Sequence, residues 1–237
     1  MRVTSYGKTD TGKKRSLNED AYLDCGAEGL WLVADGMGGH DSGDVASQRI
    51  VQVLRRSKVA SSLSAYVNQI DEQMTSVNKE LFDEFERAGT TGGSTVVGLV
   101  FKESFGVVFW AGDSRLYRLR AGRLRQLSED HSYVEDLVRT KMIAPEEAES
   151  HPEANVINRA VGAERELFLD FDFLELAPSD RYLLCSDGLY KELSDEEIMR
   201  VLHEASTVRD AAEHLIDQAL QHGGRDNVTV IVIDVDD

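Results

Sequence analysis

Four aspartates occupy comparable points of the sequence, next to apolar segments that are predicted to be β-strands. Asp35 and Asp187 each follow such a segment and precede a glycine, Asp113 ends the segment 105–112, and Asp226 comes just before the last apolar segment. Each Asp-Gly or Asp-Ser pair, taken alone, is also an ordinary turn signal. Because strand ends and strand starts of antiparallel sheets can share one rim, the spacing permits the four carboxylates to converge.

Converging carboxylates would require bound cations, because like charges repel unless a cation lies between them. Hard oxygen ligands, completed by a backbone carbonyl and by waters, suit magnesium or manganese rather than zinc. Gly36 directly follows Asp35, and a glycine lets the backbone approach an ion closely. The pattern therefore favours a divalent metal site over four unrelated turns.

The first part of the chain contains the elements that would position Asp35. A buried strand is predicted over 30–34, followed by an amphipathic helix over 46–54. A longer helix follows over 63–85, where apolar residues recur at steps of three and four. Gly89 and Gly92-Gly93 are predicted to end this helix rather than to bind phosphate.

The remaining chain is mostly strands, followed by two helices and a final strand. Strands are predicted over 94–102, 105–111, 114–120, 123–127, 167–176, 181–185 and 228–234. Ala121-Gly122 forms a tight turn between two of them, and Ser194 and Thr207 each begin a capping box. Short turns favour antiparallel sheets, and helices in blocks argue against a Rossmann or barrel arrangement. We expect an α+β domain of packed sheets with helices on the outside.

Composition excludes several classes of protein. The 237 residues are 41% hydrophobic and 29% charged, as in an ordinary globular domain. The net charge of -17 argues against binding to nucleic acid or to anionic membranes. The N-terminus lacks a secretory apolar stretch, and no apolar run approaches the ~18 residues of a membrane span. Cys25 and Cys185 are too few for a disulfide framework. We expect one domain over residues 1–237, a monomer in the cytoplasm.

Eight segments together resemble the protein phosphatase type 2C family of metal-dependent serine/threonine phosphatases, in its compact bacterial form. They occur in the family's order and span nearly the whole chain. The segments are 15–20, 33–40, 92–95, 111–115, 127–132, 158–162, 185–189 and 224–229. The resemblance implies a four-layer α-β-β-α sandwich of two antiparallel sheets, with a binuclear metal centre between them.

The resemblance also implies a role for each acidic residue. Asp35 would bridge two manganese or magnesium ions, and the carbonyl of Gly36 would bind one of them. Asp187 and Asp226 would hold the other ion. Asp113 matches the aspartate that, together with Asp187, holds a third ion in bacterial relatives.

Three residues near the N-terminus complete the implied site. Glu19 and Asp20 would bind water molecules on the ions, and Asp20 is the better candidate of the two for a direct contact. Arg15 matches the arginine that binds the substrate phosphate. A solvated arginine beside Lys13 and Lys14 is the alternative interpretation of Arg15.

The activity implied by the resemblance is hydrolysis of phosphoserine and phosphothreonine in proteins. Two divalent ions lower the pKa of a water molecule, which then attacks phosphorus without a phosphoenzyme intermediate. The implied substrates are phosphorylated proteins, the targets of a cognate serine/threonine kinase. Two alternatives are a small-molecule phosphoesterase and an inactive phosphatase-like binding module; the second would require loss of ligands, and all of them are present.

The histidines do not supply an obvious proton donor. Some family members carry a histidine two places after the bridging aspartate, where this chain has Met37. For His40 two interpretations stay open: an acid or water ligand at the site, or a histidine of the loop that leads into the first helix. His131 is predicted to be structural, at a helix start.

Three further features are assigned no catalytic or metal-binding role. Asp170 and Asp172 are predicted to lie on a polar outer sheet face rather than in a metal site. Five arginines of one hairpin are predicted to form a solvated, salt-bridged face, with docking of an acidic partner as the alternative; they are Arg115, Arg118, Arg120, Arg123 and Arg125. By the resemblance, residues 140–164 form a flap beside the active site, and we expect mobility and a role in substrate choice.

Overall fold

Two antiparallel β-sheets stack face to face, and helices cover the outer face of each. The computed structural model describes residues 1–38, 42–148 and 151–236. In chain order the elements are β1 (Arg2–Asp10), β2 (Asp20–Cys25), β3 (Leu30–Gly38), α1 (Ser42–Leu54), α2 (Leu63–Ala88), β4 (Gly92–Ser94), β5 (Val96–Lys102), β6 (Phe105–Ala111), β7 (Arg115–Arg120), β8 (Arg123–Gln126), α3 (Tyr133–Arg139), a 3₁₀ turn (Pro145–Glu147), β9 (Asp170–Glu175), β10 (Arg181–Cys185), α4 (Asp187–Tyr190), α5 (Asp195–Glu204), α6 (Val208–His222) and β11 (Val228–Asp236).

The strand order confirms the predicted α+β class. The first sheet has the order β1-β11-β10-β7-β8, and the second has β2-β3-β5-β6-β9 with β4 beside β3. The described strand pairs are antiparallel. The sequence patterns do not predict β1, because it has no apolar run; its backbone pairs with β11 along its whole length.

Three apolar clusters hold the four layers together. Ile50 of α1 and Ile70 of α2 pack on the outer face of the second sheet, and Leu215 of α6 packs on the outer face of the first. Trp31 and Tyr182 belong to the cluster between the sheets, which we call the inter-sheet core. Removal of these side chains from water is the main driving force for stacking the layers. None of the helices in the described ranges has the length and apolar character that crossing a membrane requires.

The sheet register brings the predicted acidic residues to one end of the sandwich. Asp20 begins β2 and lies directly opposite Asp35 of β3. Asp113 follows β6, in the connection from the second sheet to the first, while Asp187 follows β10 and Asp226 precedes β11. Strand ends and strand starts from both sheets therefore meet at this end, as the spacing permits.

The glycines after α2 behave differently from one another. Gly89 ends α2 in the left-handed conformation, with φ 67°, as predicted. Gly92-Gly93, predicted to end the same helix, instead belong to β4 and pair with the end of β3. A Cβ on Gly92 would lie 2.5 Å from the Ser42 Cβ. Glycine is needed there because α1 approaches β4 closely, a tertiary constraint that local sequence does not express.

The prediction for Asp170 and Asp172 was wrong about the sheet face. They share a face with Leu174, which belongs to the inter-sheet core, whereas Phe173 lies on the opposite face and is exposed. Strand β9 is at the edge of its sheet, where the inner face is only partly covered. Asp170 accepts hydrogen bonds there from Arg159 (2.8 Å) and from the ring of His131 (3.1 Å).

The arginine-rich hairpin divides into internal and exposed members. Arg115 forms a bidentate ion pair with Asp130, and its guanidinium lies 3.6 Å from the centre of the Tyr190 ring. Arg120 forms an ion pair with Asp180. In the described part of the chain the other three have no ion pair, and Arg118 lies directly opposite Arg125. The expected salt-bridged face is therefore confirmed for only part of the hairpin.

The Arg120–Asp180 pair is expected to stabilise the fold strongly. The Asp180 side chain is 0% exposed, and it also accepts hydrogen bonds from Tyr182 Oη (2.9 Å) and the Ala177 backbone N–H (3.0 Å). We predict that Asp180→Ala lowers the free energy of unfolding by about 3 kcal/mol, because it leaves buried donors without an acceptor. Chemical denaturation measures this effect. Arg123→Ala, on the neighbouring strand, is the control and should change stability by less than about 0.5 kcal/mol; equal effects of the two variants would contradict the prediction.

Candidate metal centre

A cleft of about 860 Å³ opens at the end of the sandwich where the acidic residues meet. Its walls come from both sheets, from α4 and from the segment that follows α3. It contains seven of the nine residues predicted for the site: Arg15, Glu19, Asp35, Gly36, Asp113, Asp187 and Asp226. Of the other two, Asp20 lies behind the wall and His40 falls outside the described residues.

Asp35 lies at the centre of the acidic group. Burial raises its pKa well above the ordinary value, and the negative charges of Asp20, Asp187, Asp113 and Asp226 raise it further. Its backbone is fixed by the neighbouring segment, since Asp35 N–H donates to Thr95 Oγ1 at 3.1 Å and its carbonyl accepts from Thr95 N–H at 2.8 Å. The carboxylate is thus held at a defined point among like charges.

Gly36 has a steric reason to be glycine. A Cβ at this position would lie 2.2 Å from the Gly43 carbonyl oxygen and 2.6 Å from the Glu19 carbonyl oxygen. The backbone N–H of Gly36 donates to that same Glu19 oxygen at 3.1 Å. β3, the start of α1 and the Glu19 backbone therefore meet too closely at Gly36 for any side chain.

Asp20 is buried beneath the cleft and held by two hydroxyl groups. Its Oδ2 accepts from Thr229 Oγ1 at 2.7 Å and from Ser186 Oγ at 2.8 Å, while its Oδ1 has no hydrogen-bond partner among the described residues. Burial raises the pKa of Asp20 to about 7; the two hydroxyl groups lower it, and Asp187 and Asp226 raise it. Ser186 and Thr229 therefore position a predicted site residue. The sequence analysis missed both, although they lie inside the segments that carry the resemblance.

Asp113 has a similar environment on the other side of the cleft. Tyr190 Oη donates to its Oδ2 at 3.2 Å and to its backbone carbonyl at 3.0 Å. The Oδ1 atom is buried and has no partner in the ranges that the structure describes. Burial raises the pKa of Asp113 to about 7, and the charge of Asp187 adds to this, whereas Lys191 opposes it.

Two cations already neutralise two of the predicted ligands. Arg15 Nη2 lies 2.7 Å from Asp226 Oδ2 at the mouth of the cleft, and the arginine side chain is 52% exposed. The hydrogen bond and the charge of Asp226 raise the pKa of Arg15. Lys191, just after α4, contacts Asp187 Oδ2. The predicted position of Arg15 beside the cleft is thus found, with a carboxylate as its partner.

Asn227 organises the N-terminal part of the site. Its side-chain nitrogen donates to the backbone carbonyls of Thr11 and Leu17, both at 2.9 Å, and its Oδ1 accepts from Glu19 N–H at 2.9 Å. These bonds tie the loop that carries Arg15 to the start of β11. Asn227 was also missed, although it follows Asp226 directly and lies inside the segment 224–229 that carries the resemblance.

The types of donor atom fit hard divalent cations, although the side chains are not close enough together to surround an ion. All predicted ligands are oxygen atoms, which magnesium and manganese prefer. Among these predicted ligands, two buried carboxylate oxygens, Asp20 Oδ1 and Asp113 Oδ1, lack partners within the described residues. Within the same residues, no three carboxylate, imidazole or thiol groups are arranged so that they could hold an ion as they stand. Arg15 and Lys191 instead compensate part of the negative charge.

His131 supports the cleft without facing it. Its Nδ1 accepts from the Gly112 backbone N–H at 3.1 Å, so its Nε2 carries the proton and donates to Asp170. The ring stacks on Trp110, and burial lowers its pKa. The predicted structural role of His131 is confirmed.

The described part of the flap segment, residues 140–148 and 151–164, contributes one side of the cleft. His151, Ala154, Asn155 and Ile157 line it. Backbone bridges join Ile157 to Ser132 and Val161 to Ser94, so both the middle and the end of the described part of the segment are tied to the sandwich.

The raised pKa values predict how the stability of the chelator-treated protein depends on pH. Between the ordinary carboxyl pKa of about 4 and the folded values of about 7 for Asp20 and Asp113, the folded state binds more protons than the unfolded state. The stabilisation from these groups is therefore complete below about pH 4 and is lost as the pH rises to about 7.

We predict that Asp113→Asn reduces the loss of stability between pH 4 and pH 8, because the variant has no carboxyl group to ionise at this position. Its free energy of unfolding at pH 8 should exceed that of the wild type by more than about 1 kcal/mol, since a pKa shift of one unit corresponds to about 1.4 kcal/mol. Urea denaturation from pH 4 to 8, with chelator present, gives the difference between variant and wild type. Asp172→Asn, on the exposed edge strand, is the control. A difference that stays constant across this range would contradict the prediction.

Comparisons with known proteins agree with this geometry. The family model described as protein phosphatase 2C matches residues 10–222. The serine/threonine phosphatase stp of Listeria monocytogenes serotype 4b is 36% identical over 238 residues, covering 97% of this chain and 94% of the relative.

Two solved structures match nearly the whole chain. PppA, described as a key regulatory component of T6SS in Pseudomonas aeruginosa, is 42% identical with a TM-score of 0.93, covering 99% of this chain and 98% of that chain. The catalytic domain of the serine/threonine protein phosphatase PstP, in complex with two manganese ions, is 35% identical with a TM-score of 0.88, covering 99% of each chain.

Proposed function

The chain belongs to the protein phosphatase 2C family, and we propose that it hydrolyses phosphoserine and phosphothreonine in proteins at the cleft described above. The observation that carries this proposal is that four aspartates from distant parts of the chain line one cleft and a fifth, Asp20, lies behind its wall, while two of their buried oxygens lack a partner in the described residues. An exclusively oxygen donor set of this kind suits manganese or magnesium. The manganese ions of the PstP structure support the same choice.

The proposed ligand roles follow the positions of the residues. Asp35 lies between the two sides of the cleft and is proposed to bridge two ions, with the Gly36 carbonyl beside it. Asp187 and Asp226 are proposed to hold the second ion, and Asp113 with Asp187 a third. Asp20 and Glu19 are proposed to act through water. When bound, the ions supply a water of lowered pKa as the nucleophile.

Arg15 is proposed to bind the phosphoryl group. Its half-exposed guanidinium at the mouth of the cleft can form a bidentate contact with phosphate oxygens. Its present partner, Asp226, is a proposed ligand, so an ion on Asp226 would free the guanidinium for the substrate. In that position it offsets negative charge that builds up in the transition state.

The proposal extends to partners and location. The expected substrates are proteins phosphorylated by a serine/threonine kinase, and the flap segment is proposed to contribute to substrate choice. A monomeric enzyme is proposed, as the sequence analysis expects. The two free cysteines, Cys25 and Cys185, suit a reducing compartment such as the cytoplasm.

The ion requirement is tested by titrating manganese into the chelator-treated protein and measuring hydrolysis of a phosphothreonine peptide. We predict no turnover without ions, and a loss of about a thousandfold or more in kcat for Asp187→Asn, because metal sites supply several kcal/mol of catalysis. Asp172→Asn, outside the cleft, should retain wild-type turnover. Ion-independent hydrolysis would contradict the proposal, and faster turnover of nucleotides than of the peptide would indicate a small-molecule phosphoesterase instead.

Arg15 has a separate test. We predict that Arg15→Ala lowers kcat/KM for the phosphopeptide by about 10²-fold, the scale of removing a charged group that binds the transition state. Arg15→Lys should restore part of the loss, because the charge returns without the bidentate geometry. Arg225→Ala is the control, because Arg225 also lines the cleft but pairs with Glu192. An Arg15→Ala enzyme with unchanged kcat/KM would support the solvated interpretation.

A further inference from the structure

Two consecutive residues after the start of α4 contact two carboxylates of the cleft. Tyr190 Oη donates to Asp113, and Lys191 Nζ contacts Asp187 Oδ2. Asp187 begins α4 and Lys191 follows it by one helical turn, so the lysine and its carboxylate belong to one rigid local unit. Tyr190 and Lys191 thus hold the two aspartates on which the proposed function places the third ion.

Lys191 has a second partner outside α4. Its Nζ donates to Asn155 Oδ1 at 2.7 Å, and Asn155 belongs to the flap segment. Two residues further on, Ile157 pairs with Ser132 at the start of α3. The ammonium group of Lys191 therefore lies between a proposed ion ligand and the wall of the cleft that faces it.

An ammonium group and a divalent ion compete for the same carboxylate. Lys191 compensates the charge of Asp187 that an ion would otherwise compensate. The two cations repel each other at short range, so binding of an ion at Asp187 either displaces Lys191 or retains the repulsion. Each case weakens ion binding relative to a chain with a neutral side chain at this position.

We propose that Lys191 is an internal counter-ion of Asp187 that competes with the divalent ion and links ion binding to the flap segment through Asn155. The inference rests on the proposed function, because it concerns the same ion site. It assigns to Lys191 a positioning role, since the lysine acts through Asp187 and Asn155 rather than on the substrate.

The first test is calorimetric titration of manganese into the chelator-treated full chain, which does not depend on activity. Lys191→Met should bind manganese at Asp187 about tenfold more tightly than wild type, because a positive charge beside the ion is removed. Lys191→Arg keeps the charge and should stay near the wild-type affinity. Lys102→Met is the matched control: Lys102 is half-buried, and its Nζ donates to the Ala60 carbonyl outside the cleft.

Each result of the titration decides a different statement. Equal or weaker manganese binding by Lys191→Met would overturn the inference about Lys191 and would leave the proposed function in place. Tighter binding by Lys102→Met as well would assign the effect to net charge and would also overturn it. Absence of manganese binding by the wild-type chain would overturn the proposed function, and this inference with it.

The link to the flap segment has its own readout in amide hydrogen exchange of residues 153–157. In wild type, manganese should increase exchange there severalfold, because Lys191 leaves Asn155 when the ion takes Asp187. Lys191→Met should exchange faster already without manganese and should respond little to it. Asn155→Ala should behave like Lys191→Met in this measurement. A manganese response of the same size in all three proteins would overturn the link.

Discussion

Repulsion among carboxylates gathered in one cleft is the constraint on which the rest of this structure depends. Burial raises the pKa values of Asp20, Asp35 and Asp113, and neighbouring aspartates raise each of them further. Such a group opposes folding whenever it is ionised and lacks a counter-charge. The fold tolerates it because the three apolar clusters supply stabilisation elsewhere in the sandwich. The acidic cleft therefore destabilises the fold locally, and the packing of the three apolar clusters offsets this cost.

Comparison with a structural aspartate shows what distinguishes the cleft. Burial alone would raise the pKa of Asp180, but hydrogen bonds from Arg120, the Ala177 backbone and Tyr182 lower it. Both oxygens of Asp180 are satisfied by the protein itself. In the cleft, by contrast, Asp113 retains a buried oxygen without a partner in the described residues. A buried carboxylate oxygen without a protein partner in that part of the chain is the feature that distinguishes the proposed metal ligands from a structural aspartate.

The sequence predicted the site residues that belong to local patterns, and it missed the residues whose role depends on contacts between distant parts of the chain. Asp35 and Asp187 were identified because an apolar strand followed by Asp-Gly is a local pattern. The Ser186 and Thr229 hydroxyl groups that hold Asp20 were not, because their residues lie far from Asp20 in the chain and meet it only across the stacked sheets. The same limit explains the wrong face for Asp170, since alternation along a strand gives two faces without saying which one is buried.

Stacking of the two sheets sets the spacing of the candidate ligands. Asp20 and Asp35 belong to the second sheet, Asp187 and Asp226 flank strands of the first, and Asp113 lies in the connection between them. Their distances therefore depend on the inter-sheet core, where Trp31 and Tyr182 are fully buried. Close packing transmits small changes of volume through a core of this kind. The geometry on which ion binding depends is thus built into the same apolar layer that makes the sandwich stable.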